Sequence, residues 1–189
     1  KHSNIMRKIR LLTFSVFYML LLGNCNLDIK PNINLQNSDY FFSTERFFQQ
    51  EANRLSSRRG FTKYVDFNGD EETMSLDTLN FQQEFTPFIK SDINKVIWID
   101  QYTCDTTYIE NQIERITCQA NSPKLKTRNL NVKFKSGQPI SIDMECMMQK
   151  MLLETREYLQ YRKNDYYEVK RVQQLKTGSL DSTIVKVTF

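Results

Sequence analysis

Apolar and polar residues alternate with a period of two along most of the chain after Gly60. Such alternation is typical of β-strands that bury one face, and turn residues recur at short intervals between the alternating stretches. The pattern predicts nine strands: Phe61–Phe67, Glu71–Leu76, Ile97–Ile109, Ile113–Ala120, Leu125–Lys135, Ile140–Met148, Leu152–Arg162, Tyr166–Lys176 and Ser182–Phe189. Consecutive strands joined by hairpin turns form an antiparallel meander.

Two segments have a helical period instead. In Ser43–Arg59, apolar residues recur at i, i+4 and i+7, Ser43 can cap the first turn, and Gly60 can end the helix. Leu79–Lys90 predicts a second, short helix that Pro87 kinks or restarts. The fold class is therefore α+β. We expect a meander sheet of about nine strands, curled into a half-barrel or open barrel, with an N-terminal helix and one short inserted helix covering its open side or end.

Turn residues also predict how the strands pair. Asn68-Gly69 is a strong hairpin signal, because both central residues of a type I′ turn need positive φ. A three-residue loop at Lys135-Ser136-Gly137 would place Val132 opposite Ile140, with the apolar residues of both strands on one face. The segment from Met147 to Arg162 would also suit a helix, but its β-branched and aromatic residues favour a strand.

The N-terminal pattern differs from that of the rest of the chain. Three cations, at positions 7, 8 and 10, precede the uncharged, mostly apolar run Leu11–Gly23, and Cys25 follows. A membrane span needs about 20 apolar residues, so the run predicts a cleaved secretory signal over residues 1–24. Leu22-Gly23-Asn24-Cys25 resembles a bacterial lipobox, although Asn24 replaces the usual small residue. This resemblance implies that Cys25 is lipidated; the alternative is an ordinary signal that leaves Cys25 free.

Removal of this signal changes the charge and the available chemistry. The net charge of +4 is carried by Lys1, Arg7, Lys8 and Arg10, so the mature chain is neutral and gives no reason to expect nucleic-acid binding. The one histidine, His2, is removed as well. A chain without histidine lacks Ser-His-Asp and Cys-His catalytic groups and the usual His-containing zinc sites. We expect a lipid-anchored tether over residues 25–38 and a single domain over 39–189.

Two cysteines are candidates for a disulfide. Cys104 and Cys118 are equidistant from Asn111, so a hairpin centred there places them opposite each other. A non-hydrogen-bonded pair brings the β-carbons within disulfide range, and export to an oxidising compartment permits the bond. The alternative is two buried free thiols.

Three other groups of residues have alternative interpretations. Met144, Cys146 and Met148 place soft sulfurs on one strand face, but ordinary core packing explains them better than a metal, and we expect no cofactor or metal. Asp143 and Glu145 form a carboxylate pair of the kind that glycosidases use, yet neighbours on one strand face are usually solvated. Four aromatic residues form either an apolar pocket or part of the core: Trp98, Tyr102, Tyr108 and Tyr158.

Several longer stretches carry a family resemblance. They are D-Y-F…F-F-x-x-E-x-x-x-L (Asp39–Leu55), K-Y-V-x-F-N-G (Lys63–Gly69), F-x-x-E-F-x-x-F (Phe81–Phe88), S-D-I-N-K-x-x-W (Ser91–Trp98) and L-x-Y-x-x-x-x-Y (Leu159–Tyr166). Together they resemble a group of small outer-membrane lipoproteins typical of Bacteroidetes. The resemblance spans most of the mature chain, carries no catalytic motif, and implies lipid anchoring at the cell envelope, in the outer membrane.

These observations predict a membrane-anchored lipoprotein that acts as a non-catalytic binding or structural module at the cell envelope. Its expected partners are the membrane, through the lipid anchor, and an envelope protein. The alternative is a carrier that holds a lipid or other apolar ligand in a cavity of the curled sheet. A hydrolase is the least supported class, because the mature chain has no histidine.

Overall fold

The structure is a computed structural model and describes residues 40–189, all of which belong to one compact unit. The predicted signal over residues 1–24, the tether over 25–38 and the lipidated Cys25 lie outside the described residues.

The described chain forms one antiparallel sheet of nine strands with short helices on one face. The strands are β1 (Phe61–Phe67), β2 (Asp70–Leu76), β3 (Tyr102–Ile109), β4 (Gln112–Ala120), β5 (Thr127–Lys135), β6 (Gln138–Gln149), β7 (Leu153–Arg162), β8 (Tyr166–Leu175) and β9 (Leu180–Thr188). Their spatial order is β2-β1-β9-β8-β7-β6-β5-β4-β3, so the sheet is open, with β2 and β3 at its edges. This confirms the predicted α+β fold with a nine-stranded meander.

The N-terminal helix α1 covers Thr44–Leu55 and is shorter than predicted. The hydroxyl oxygen of Ser43 accepts a hydrogen bond from the backbone N–H of Arg46, as a helix N-cap does. After Leu55 the side chains of Ser56 and Ser57 donate to the backbone oxygens of the last helical turn. These local hydrogen bonds compete with continued helix and turn the chain towards β1.

The predicted inserted helix consists of two short helices, α2 (Phe81–Glu84) and α3 (Thr86–Ile89), which meet at Phe85. Pro87 lies in the first turn of α3. Backbone N–H groups of a first turn have no acceptor within the helix, so a proline there costs no helical hydrogen bond. The expected restart at this proline is confirmed, but it divides the helix in two.

The prediction that β3 begins at Ile97 is wrong. A 3-10 helix covers Val96–Gln101, and the strand begins at Tyr102. The neighbouring strand β4 ends at Ala120, which pairs with Tyr102, so residues before Tyr102 have no strand to pair with. Apolar residues also alternate with polar ones before Tyr102, where no partner strand is present, and for this reason the predicted strand is too long.

The register of β5 and β6 also differs from the prediction. Val132 lies opposite Ile142, because the turn is the two-residue Ser136-Gly137, with φ of 50° and 72°, and a bulge follows it. Ile140 is the extra residue of this bulge and lies 36% exposed, whereas Ile142 is fully buried. A shift of two residues keeps the side chains on the same face, so the predicted core face is right although the pairing is wrong.

Aromatic side chains fill the space between the helices and the sheet. The ring of Phe48 on α1 lies 4.3 Å from that of Phe88 and 5.3 Å from that of Tyr161, measured between centroids. The rings of Phe85 and Tyr167 are 5.3 Å apart, and both side chains are fully buried. The helices therefore cover their half of the sheet face with tightly packed rings.

We expect Ile142→Ala to lower the free energy of unfolding by about 2–5 kcal/mol, because it empties a fully buried site. Ile140→Ala, on the same strand, should cost less than about 1 kcal/mol, because the bulge exposes that residue. Urea denaturation of both variants measures the difference. Equal losses would contradict the observed register and support the pairing of Ile140 with Val132.

Candidate functional site

A groove lies between the short helices and the part of the sheet that they leave uncovered. Its volume is about 250 Å³, and it is bounded by α2, α3 and strands β8, β9 and β1. The lining residues are Lys63, Gln83, Glu84, Pro87, Tyr167, Val169, Arg171, Thr183 and Val185.

The floor of the groove is aliphatic. Val169 on β8 pairs with Val185 on β9, which in turn pairs with Val65 on β1. The three side chains therefore lie side by side on the face that packs against the helices. Helices α2 and α3 do not cover the whole length of these strands. The row of valines therefore borders open space, and Val185 and Val65 are only partly buried.

Glu84 forms one wall of the groove and has two donors. The hydroxyl of Tyr167 donates to one carboxylate oxygen, and Lys63 Nζ lies 2.6 Å from the other. Burial, together with the adjacent Glu84, raises the pKa of Tyr167 above its ordinary range. At neutral pH the hydroxyl therefore stays protonated and acts as a hydrogen-bond donor.

A second ion pair forms the opposite wall. Arg171 donates through two nitrogens to Glu157 Oε1, at 2.9 and 2.7 Å, and Lys126 Nζ lies 3.9 Å from the other carboxylate oxygen. The Glu157 side chain is only 5% exposed, so its charge requires these partners. Both walls of the groove thus present charged groups that are already paired.

The same arrangement of tyrosine, carboxylate and cation recurs beneath α1. The hydroxyl of Tyr161 on β7 donates to Glu51, which Arg54 also contacts. Burial alone would raise the pKa of Glu51, but hydrogen bonds from Arg54 and Tyr161 and the nearby charge of Lys163 lower it below its ordinary value. Helices α1 and α2 are therefore each attached to the sheet by a buried tyrosine that donates a hydrogen bond to a glutamate of the helix.

A polar cluster lies deeper in the core, around Cys146. Its Sγ donates to Ser91 Oγ at 3.3 Å, and Thr127 Oγ1 donates to the Ser91 backbone oxygen at 2.8 Å. Burial raises the pKa of the Cys146 thiol, which favours the protonated form. Within residues 40–189, no group of three or more His, Cys, Asp or Glu side chains is arranged to hold a metal ion.

Cys104 and Cys118 lie opposite each other and are joined in a disulfide, with their Cα atoms 4.1 Å apart. The turn at Glu110-Asn111 pairs Ile109 with Gln112, a register that would put Cys104 opposite Thr117. A bulge at Glu114 shifts the pairing by one residue and brings Cys118 opposite Cys104. The equal spacing of the two cysteines from Asn111 predicted the right pair, although their pairing depends on this bulge.

The four aromatic residues that could form either an apolar pocket or part of the core are not brought together. Trp98 and Tyr102 are neighbours, with ring centroids 6.3 Å apart, and the buried Tyr102 hydroxyl donates to the Thr127 backbone oxygen. Tyr108 lies exposed near the far end of β3. Tyr158 alternates with buried residues of β7 and therefore faces the opposite side of the sheet. The four side chains do not line one pocket.

Asp143 and Glu145 lie on the uncovered face of the sheet. Asp143 forms an ion pair with Arg162 at 2.8 Å, and Glu145 accepts a hydrogen bond from Asn129 at 2.8 Å. Both carboxylates therefore have the partners expected of surface charges on neighbouring strands.

Sequence reasoning missed the groove because its walls come from distant parts of the chain. Glu84 is 21 residues from Lys63 and 83 from Tyr167. The available signal was local: Glu84 interrupts the apolar pattern of the segment that became α2 and α3. A charged residue in such a position needs a partner, but the sequence does not identify that partner.

Comparison of the chain with protein-family models, with curated proteins and with solved structures finds no match. Among residues 40–189, no helix has both the length and the apolar character needed to cross a bilayer.

The lowered pKa of Glu51 predicts how stability depends on pH. A carboxylate whose pKa is lower in the folded than in the unfolded state stabilises the fold fully above its unfolded pKa of about 4.3, and the stabilisation is lost as the pH falls through the folded pKa. Glu51→Gln should therefore reduce stability at pH 7 and lose less stability than the wild type on acidification below about pH 4.3. Denaturant unfolding across this range measures both effects.

Glu72→Gln is the control for this test, because Glu72 lies exposed on the edge strand β2. This variant should retain the wild-type pH dependence. If Glu51→Gln also retained it, the tyrosine and arginine contacts would not stabilise the Glu51 carboxylate.

Proposed function

We propose that the protein is a lipid-anchored lipoprotein of the bacterial cell envelope, whose folded domain binds a partner and does not catalyse a reaction. The charged and apolar N-terminal pattern, followed by Leu22-Gly23-Asn24-Cys25, supports lipidation of Cys25. The resemblance to Bacteroidetes lipoproteins supports an outer-membrane location, with residues 25–38 between the anchor and the domain.

The paired charges in the groove carry the proposal of binding. Lys63 and Tyr167 both contact Glu84, and Arg171 contacts Glu157. General acid–base catalysis requires a group that is free to exchange a proton near the operating pH. Tyr167, whose pKa is raised, does not meet this requirement, whereas an aliphatic floor between polar walls suits recognition.

A protein is the best-supported partner. The groove volume of about 250 Å³ is smaller than the roughly 300–1,000 Å³ typical of small-molecule sites. It would accommodate one or two side chains of a protein that lies across it. Val169 and Val185 would contact the apolar part of such a segment, and the polar walls would fix its position.

The carrier remains the second candidate because the floor of the groove is aliphatic. The packed rings of Phe48, Phe85 and Tyr161 argue against it, since they occupy the space that a ligand cavity between sheet and helices would need. Native mass spectrometry of the Cys25→Ser variant separates the two candidates, because a lipid bound to this variant cannot be the anchor. A co-purifying lipid would favour the carrier.

The anchor is tested by Cys25→Ser. We expect the parent protein to fractionate with membranes and to carry an acyl modification by intact mass, because the lipid supplies the membrane affinity. The variant should lose the acyl group and leave the membrane fraction. An unmodified parent would contradict the proposed lipidation.

Binding through the groove is tested by photo-cross-linking in cells. A photoreactive residue at Thr183, on the groove wall, should cross-link to one defined envelope protein. The matched control is the next residue, Ile184, which points to the opposite face of β9. Cross-linking to the same protein from both positions, or from neither, would contradict the groove as the binding site.

A further inference from the structure

One end of the sheet carries exposed apolar side chains on three separate connections. We call them the tip residues: Val96, Ile97, Met151, Leu152, Leu175 and Leu180. Met151 is 84% exposed, Ile97 79% and Leu152 62%. Exposure of several large apolar residues on one end of a domain indicates an interaction surface.

Strand direction places the tip residues at the same end. In the antiparallel order, β3, β7 and β9 all begin at this end, and the 3-10 helix leads into β3. The backbone N–H of Lys176 donates to the Leu152 oxygen at 3.1 Å, which ties the β8–β9 turn to the β6–β7 turn. The tip residues therefore project from connections that share one end of the sheet.

The turns at the opposite end of the sheet are polar, although Ile109, next to one of them, is 56% exposed. These turns are Glu110-Asn111, Ser136-Gly137 and Lys163-Asn164-Asp165, which contain the residues that tight turns favour. Tight turns of this sheet therefore form without apolar residues, so turn formation does not explain the tip residues.

A lysine adjoins each group of tip residues. Lys95 precedes Val96, Lys150 precedes Met151, and Lys176 follows Leu175, and all three lysines are exposed. Glu154 is the nearby acid on β7, and Arg156 already pairs with it at 2.9 Å. Among the described residues, neither Lys150 nor Lys176 has a carboxylate partner. Lys95 Nζ also lies 4.5 Å from the Trp98 ring centroid, and the exposed acids Asp100 and Asp181 lie at the same end. The end therefore combines projecting apolar side chains with three exposed lysines, two of which have no carboxylate partner among the described residues.

The described chain also begins at this end. The backbone N–H groups of Tyr40 and Phe41 donate to Asn94 Oδ1, at 3.0 and 3.2 Å, next to Lys95. The chain that precedes Tyr40 therefore enters the domain at this end.

The β1–β2 turn limits the extent of this surface. It lies at the same end and exposes Phe67, but Asp66, Asp70 and Glu71 surround it with negative charge. The basic part of the end therefore runs from the 3-10 helix to the β8–β9 turn and excludes the β1–β2 corner.

We propose that the tip residues rest in the headgroup region of a lipid bilayer that contains anionic lipids, with Lys95, Lys150 and Lys176 contacting the phosphates. Isolated apolar side chains on separate turns suit insertion among lipids better than a protein interface, which needs a continuous area of about 800 Å² on each partner. Each lysine near an anionic surface adds attraction that salt weakens. This contact stands on observations separate from those for the anchor.

The experiment uses the full-length protein isolated from membranes and reconstituted into vesicles. Trp98→Phe removes the single tryptophan of the chain, and Met151→Trp then reports on the tip. In vesicles that contain phosphatidylglycerol, the fluorescence of this reporter should shift to shorter wavelength and be quenched by brominated lipid. Gln138→Trp, in the same background, is the control at the opposite end and should show neither change.

Charge is tested in the same reporter. Lys95→Gln, Lys150→Gln and Lys176→Gln together should abolish the shift and the quenching, whereas Lys133→Gln, Lys135→Gln and Lys163→Gln, three substitutions away from the tip, should leave both unchanged. Vesicles of phosphatidylcholine alone should give little quenching. Leu180→Trp is a second tip reporter in case Met151→Trp fails to fold, as judged by circular dichroism.

A reporter at position 151 that is as exposed to water as the one at position 138 would overturn the proposal. Protection in native membranes but not in protein-free vesicles would assign the surface to a protein partner and would also overturn it. The anchor is tested separately, by the intact mass of the parent protein. If the parent is unlipidated but its tip reporter is still quenched, the tip contact is supported and the lipid anchor is contradicted.

Discussion

Two hydrogen bonds, each from a buried tyrosine to a glutamate, attach the helices to the sheet. Tyr161 on β7 donates to Glu51 on α1, and Tyr167 on β8 donates to Glu84 on α2. An open nine-stranded sheet has one apolar face that needs a cover, and four-residue helices such as α2 and α3 have little stability of their own. The aromatic rings supply the buried area, and the two hydrogen bonds fix where the helices lie over it.

The same contacts determine the shape of the groove. Glu84 accepts a hydrogen bond from the Tyr167 hydroxyl on β8 and one from Lys63 Nζ on β1. These two contacts hold the edge of the helical layer above the row of valines. The helices end there, and the row of Val65, Val169 and Val185 borders open space. Stability and the proposed recognition therefore depend on one set of residues. A change at Glu84 should affect both.

Much of the fold followed from local patterns, and most of the site did not. Alternation predicted the strands, and the equal spacing of Cys104 and Cys118 from Asn111 predicted which cysteines face each other. The pairing of β1 with β9, and that of Glu84 with Tyr167, join residues far apart in sequence, which no local period records. The bulge at Ile140 and the end of β4 at Ala120 depend on neighbouring strands, so the register of β6 and the start of β3 were mispredicted.

A double-mutant cycle between Tyr161 and Glu51 tests the central claim most directly. Unfolding free energies of Tyr161→Phe, Glu51→Gln and the double variant should give a coupling of about 1.5–3 kcal/mol, the range for a buried hydrogen bond to a charged group. The control cycle between Tyr166 and Gln160, whose side chains are 3.5 Å apart and partly exposed, should give a coupling near zero. Equal couplings in the two cycles would contradict the claim that buried tyrosine–glutamate contacts hold the helices on the sheet.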